Sequence, residues 1–133
     1  MLFNQEFLNS LSEEAKKNPR LRVNYDLRNS EADTSQRMLN ALSPGTKIPI
    51  HRHPNTTEVM MVVRGSVREY FYNVDGLLIE TFLLEAGKDC LISIPAGQFH
   101  NLECLEENTI IFEAKDGSYA PTSHKDILEH DTK

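Results

Sequence analysis

Gly45-Thr46-Lys47-Ile48-Pro49-Ile50-His51-Arg52-His53-Pro54-Asn55-Thr56-Thr57-Glu58-Val59-Met60-Met61-Val62-Val63-Arg64-Gly65 is the stretch that decides how this chain folds. Histidines two apart in a strand point to one face, so His51 and His53 can share an ion. Pro54-Asn55 marks a turn, and after it Glu58 opens a neighbouring strand. A hairpin of that length is expected to return the Glu58 carboxylate beside the two rings. An HxH pair alone is a weak signal, because histidines alternate with other residues in many ordinary strands. Here it comes with Glu58 and with His100, which stands just past a Pro95-Ala96-Gly97 turn. If the sheet folds back on itself, His100 brings a third imidazole. Three neutral nitrogens and a carboxylate form a borderline ligand set. It suits one divalent transition metal ion (Fe, Mn, Ni, Zn or Co) better than Ca(II) or Cu(I). An octahedral ion held this way keeps two open positions, as a site that admits substrate or water requires.

Outward from this stretch the period is that of strands. Arg22 to Leu27, Gln36 to Leu42, Ile48 to His53, Thr57 to Arg64, Val67 to Asn73, Leu77 to Glu85, Cys90 to Ile94, Gln98 to Leu105 and Thr109 to Ala114 read as short β segments. Gly65, Asp75-Gly76, Gly87 and Glu107-Asn108 supply turns between them, Asp75-Gly76 being the best hairpin signal. Many short strands with frequent turns indicate an all-β sandwich or barrel. Before them, Phe3, Phe7, Leu8, Leu11 and Ala15 recur at helical spacing until Asn18-Pro19, so residues 1–18 are expected to form an amphipathic helix packed on the barrel of residues 19–133. Ser123 to Glu129 is expected to close the chain as a short helix. In Glu58-Val59-Met60-Met61-Val62-Val63 both alternating sets are apolar. The face turned from the interior therefore needs cover, from the helix or from the second subunit of a homodimer.

The 133 residues suit one domain, and 39% apolar residues suffice for one core. No run approaches the roughly 18 apolar residues of a membrane span. Met1 to Glu6 lacks the features of a secretory leader, which makes the cytoplasm the expected compartment. A net charge of −6 disfavours nucleic acid as a partner. The basic cluster Lys16, Lys17, Arg20 and Arg22 has no accompanying aromatic ladder. Cys90 and Cys104 show no metal or redox spacing and read as reduced, buried hydrophobes. His124 and His130 fall in a charged tail and read as solvated side chains.

Gly45-x5-His51-x-His53-x4-Glu58-x6-Gly65 resembles the first cupin motif at every spacing, and Pro95-x-Gly97-x2-His100 resembles the core of the second. Seven residues separate Gly87 from Pro95 where five are usual, and Cys104 stands where the second motif ends in Asn. The resemblance implies a cupin double-stranded β-helix, or jelly-roll barrel, with metal ligands His51, His53, Glu58 and His100. Within the cupins the chain looks most like the WbuC family of small bacterial metalloproteins. This likeness runs from Arg20-x-Arg22-x-Asn24, through Gln36-Arg37-Met38-Leu39 and Pro44-Gly45, to Phe112-Glu113-x-Lys115-x-Gly117-x-Tyr119-x-Pro121. It implies a sugar or nucleotide-sugar ligand in surface-polysaccharide metabolism.

Arg22 and Asn24 share a strand face and, with Arg37, fall on strands that can line a barrel mouth, where arginine forks suit carboxylate or phosphate groups. Lys115 and Tyr119 join these substrate-binding candidates through the resemblance alone. All of them have the plainer alternative of surface ion pairs, and Glu113, alternating with Phe112, is expected to face solvent. Two functions compete, beside a third reading in which the metal merely fastens the barrel. One is a metal-dependent enzyme, an isomerase, epimerase or dioxygenase acting on a small sugar-like molecule. The other is a non-catalytic metal-centred binding or sensing protein.

Overall fold

The computed structural model describes residues 1–128, so His130 and the end of the expected closing helix lie outside the described residues. Helix α1 (Gln5–Lys17) starts where the Asn4 side chain accepts a hydrogen bond from the Phe7 amide, and it ends before Pro19. Its apolar stripe, Leu8, Leu11 and Ala15, packs on Leu39, Ala41 and Ile110, flanked by Val23 and Tyr25.

Ten strands follow among the described residues: β1 (Arg22–Asp26), β2 (Ser35–Leu42), β3 (Ile50–His51), β4 (Glu58–Arg64), β5 (Ser66–Tyr72), β6 (Leu78–Glu85), β7 (Leu91–Ile94), β8 (Phe99–Cys104), β9 (Thr109–Asp116) and β10 (Ile127–Leu128). They form two sheets, β1-β2-β9-β4-β7 and β10-β3-β8-β5-β6, with antiparallel pairing throughout. This is the jelly roll expected from the strand pattern. Between its sheets lies an apolar cluster of Leu42, Met60, Val62, Val67, Leu84, Cys104 and Ile111.

The structure corrects two expectations and narrows a third. His51 and Glu58 do not lie on the two arms of a hairpin, because β3 and β4 belong to opposite sheets. Prolines at positions 49 and 54 lack a ladder N–H and leave β3 only two residues long. The chain then crosses the barrel before β4 begins. The described part of the expected closing helix, residues 123–128, is not a continuous helix either: a single 3₁₀ turn, His124–Asp126, leads directly into β10, which pairs Ile127 with His51. The buried Asp126 is held there by Arg52 Nε at 2.7 Å. Finally, α1 rests on the side of the first sheet that carries β1, β2 and β9, and Val59, Met61 and Val63 on the outer face of β4 stay between 37% and 39% exposed.

The β4–β5 connection explains Gly65. Its φ is +82°, and an added Cβ would stand 2.9 Å from the Thr109 Cα, closer than a side chain can lie to backbone.

Candidate metal centre

Three of the four candidate ligands sit on strands, and His53 lies just beyond one of them. His51 on β3 pairs directly with His100 on β8, and their ring centroids are 4.4 Å apart. His53 follows in the turn after β3, its ring 5.1 Å from that of His51. Its carbonyl accepts the Gly97 amide at 2.8 Å, which ties this turn to the one preceding His100. Glu58, at the start of β4, faces them from the opposite sheet and is 4% exposed.

The hydrogen bonds orient the rings. His51 Nδ1 donates to the Pro49 carbonyl at 2.8 Å, and His100 Nδ1 to the Gln98 carbonyl at 2.9 Å. This fixes the tautomer and leaves Nε2 of both rings with its lone pair free for a ligand bond. The ligand nitrogens of His51, His53 and His100 all lie within 4.8 Å of one another. Glu58 Oε1 is 3.1 Å from His53 Nε2 and 3.5 Å from His100 Nε2. Donors bound at about 2.0–2.2 Å to a first-row ion and at right angles to one another are separated by roughly 3 Å, and the two Glu58 contacts are close to that spacing.

Electrostatics fits such an ion too. Burial, reinforced by the neighbouring His100, lowers the His51 pKa to about 4, so this ring is neutral and metal-ready at pH 7. Burial acts to raise the Glu58 pKa, but the His100 and His53 rings that face it outweigh this and hold the carboxyl well below its ordinary value.

Behind the ligands a cavity of about 190 Å³ runs into the barrel, lined by Asn40, Glu69, Glu113, Lys115 and Arg22 among others. Glu113 does not face solvent as the alternation suggests. It points inward, cross-strand from Met38 and Met60, and accepts a hydrogen bond from Asn40 Nδ2 at 2.9 Å. Burial, then the charge of Glu58, pushes its pKa up to about 8. Glu69, 1% exposed on β5, is likewise raised by burial and by the charges of Glu58 and Glu113. Glu69 is not among the residues the sequence singles out, although it shares a strand face with Val67 and Phe71.

Arg22, Asn24 and Lys115 also line the cavity. Arg22 is held at its mouth by Thr46 Oγ1 at 3.1 Å and the Lys47 carbonyl at 2.8 Å. Arg37 and Tyr119 lie elsewhere, around a neighbouring depression with Asp26 and Arg28. Arg37 is paired there with Asp33 at 3.1 Å, and Tyr119 is exposed with Arg28 over its ring.

Two antiparallel sheets closed over a three-histidine cluster that could hold a metal ion make a jelly roll of the cupin type. Cupin-fold structures of similar shape include CapF of Staphylococcus aureus, a capsular polysaccharide assembling protein (TM-score 0.59, 24% identity), which matches over 72% of this chain and 28% of CapF. Oxalate oxidase in complex with glycolate (TM-score 0.61, 20% identity) matches over 80% of this chain and 55% of its own. A germin-like protein of Morus alba is 31% identical over 74 residues, 55% of this chain and 34% of that protein, so the chain spans about a third of this relative. A family model described as a domain of unknown function, DUF6016, matches residues 3–84, more than half of the chain, and the chain belongs to that family.

Proposed function

We propose that His51, His53, Glu58 and His100 hold one divalent transition metal ion, and that the protein acts through it on a small sugar-like molecule in surface-polysaccharide metabolism. The observation that carries the metal is the arrangement of Nε2 atoms around Glu58 Oε1, with two of the rings locked by backbone carbonyls on their other nitrogen. A bound ion would act as a Lewis acid toward an oxygen-bearing ligand. The chain itself supplies the rest of the site. Lys115, directly cross-strand from Glu58, and Arg22 place positive charge at the cavity, and Glu113 offers a proton-bearing carboxyl beside Glu58. Proton transfer of this kind suits isomerisation or epimerisation, with oxidation as the alternative if the ion is iron. The sugar class is supported by the likeness to WbuC proteins and by the capsular polysaccharide assembly named for CapF.

The second reading is capture without turnover. It is favoured by the apolar outer face of β4, whose inner face carries Glu58 and Met60. A second copy of the chain seated on Val59, Met61 and Val63 would form a homodimer able to report the state of the cavity.

The test is elemental mass spectrometry on protein purified without chelator or nickel resin, beside a His51→Ala/His100→Ala variant. About one equivalent of metal in the wild type, lost in the variant, is the expected result. Metal content unchanged by the double substitution would refute the assignment.

A further inference from the structure

Three polar atoms at the wall of the inner cavity have no hydrogen-bond partner among the described residues: Asn40 Oδ1 and both carboxyl oxygens of Glu69. Asn40 is 8% exposed and Glu69 1%, so bulk water does not reach them freely. A buried polar group without a partner destabilises the fold, and a protein that retains several in one cavity needs them for something other than folding. Unlike Glu58, neither residue belongs to the metal's donor set.

The identity of these atoms selects a ligand. An amide oxygen accepts in every state, and a carboxyl accepts through at least one oxygen whether or not it carries a proton. The partner they require is therefore a hydrogen-bond donor. The same cavity is also lined by the apolar side chains Leu42, Ile94, Leu102 and Ile111. At about 190 Å³ the cavity is smaller than the roughly 300–1,000 Å³ of pockets for drug-sized ligands. It takes a compact molecule of few heavy atoms.

We infer that Asn40 and Glu69 form a subsite, inside the barrel and beyond the metal ligands, that receives the hydroxyl groups of a small neutral polyol or sugar. This deepens the reading of the metal centre as a ligand site and rests on it. The metal end would meet one oxygen of the ligand, and the Asn40–Glu69 end would accept from hydroxyls further along. A ligand without those hydroxyls would leave the buried acceptors unpaired, which is how such sites discriminate.

The test uses wild type, Glu69→Leu and Glu69→Gln, each assayed for metal content and melting temperature. Each is titrated calorimetrically with glycerol, erythritol, xylitol and D-glucose, with ethylammonium chloride as a cationic control. At least one of the four hydroxylated probes is expected to bind the wild type. Glu69→Leu is expected to weaken that probe at least tenfold, to keep its metal, and to melt at least about 3 °C higher without ligand, because an unpaired polar group has gone. Glu69→Gln keeps acceptor and donor and should lose less. The inference is overturned if none of the four probes binds, if wild type and Glu69→Leu bind it equally, or if only ethylammonium binds, which would mark a cation site. A lower melting temperature in Glu69→Leu would also overturn it, since the carboxyl would then serve the fold through ordered water. Metal absent from all three proteins, with Glu69-dependent xylitol binding retained, would refute the metal centre and leave the subsite standing.

Discussion

In the chelated protein Glu113 makes stability fall as pH rises. Its folded-state pKa is pushed up to about 8 from an ordinary value of 4.5 by burial and by Glu58. Between those values the native state binds a proton that the unfolded chain has released, so each pH unit costs up to about 1.36 kcal/mol of stability. His51 acts with the opposite sign, since its folded pKa of about 4 lies below the usual 6.5, but its window closes at 6.5. From pH 6.5 to 8.5 Glu113 therefore removes about 2 kcal/mol, and about half that once cavity water screens its half-buried carboxyl. Glu69, raised in the same direction, adds to the slope. Glu113→Gln keeps an oxygen to accept from Asn40 Nδ2 and no longer titrates. Urea denaturation at pH 6.5 and 8.5 in the presence of chelator reads the difference. Glu113→Gln should lose about 1 kcal/mol less than the wild type, a shift of roughly 0.5 M in midpoint at typical slopes. Equal losses in the two proteins would show that Glu113 is ionised in the native state and would refute the reasoning.

Two further outcomes follow from the packing. Gly65→Ala must place a Cβ 2.9 Å from the Thr109 Cα at φ +82°, and thermal unfolding should show a loss of about 2–4 kcal/mol, with less than 1 kcal/mol contradicting the geometry. Arg52→Met leaves Asp126 buried without its partner at 2.7 Å, so it should cost about 3 kcal/mol and speed hydrogen exchange in β10, where Ile127 pairs with His51; unchanged exchange there would show that the ion pair does not hold the strand.

The four candidate ligands were legible in the sequence because strand alternation and turn spacing constrain them locally. Their route to one another was not. The hairpin expected between His51 and Glu58 fails because spacing does not say whether consecutive strands pair or cross between sheets, and here they cross. The outward orientation expected of Glu113 fails for a related reason. Alternation separates two faces of a strand but names the outer one only when that face meets water. On β9 one face lies toward α1, with Ile110 in the helix cluster, and the other lines the cavity, with Ile111 and Glu113 on it. A polar residue among apolar ones there is inside on either face. Glu69 carried a usable signal, a carboxyl in register with Val67 and Phe71, whose weight depends on knowing that β5 faces Glu58 across the barrel.

These inward positions share one gradient. Along β4 the order is Glu58, Met60, Val62; along β9 it is Lys115, Glu113, Ile111; along β8 it is His100, Leu102, Cys104; along β2 it is Met38, Asn40, Leu42. Each strand runs from a cavity-lining end into the apolar cluster that closes the barrel. The division lets one interior satisfy two opposed demands, because buried carboxyls and imidazoles that destabilise the fold occupy one half while the other supplies the burial that offsets them. The separate cluster under α1, built on the outer faces of β2 and β9, adds stability without touching the cavity. Substitutions toward apolar residues in the polar half should therefore stabilise the protein while disabling its site, and truncations in the apolar half should do only harm.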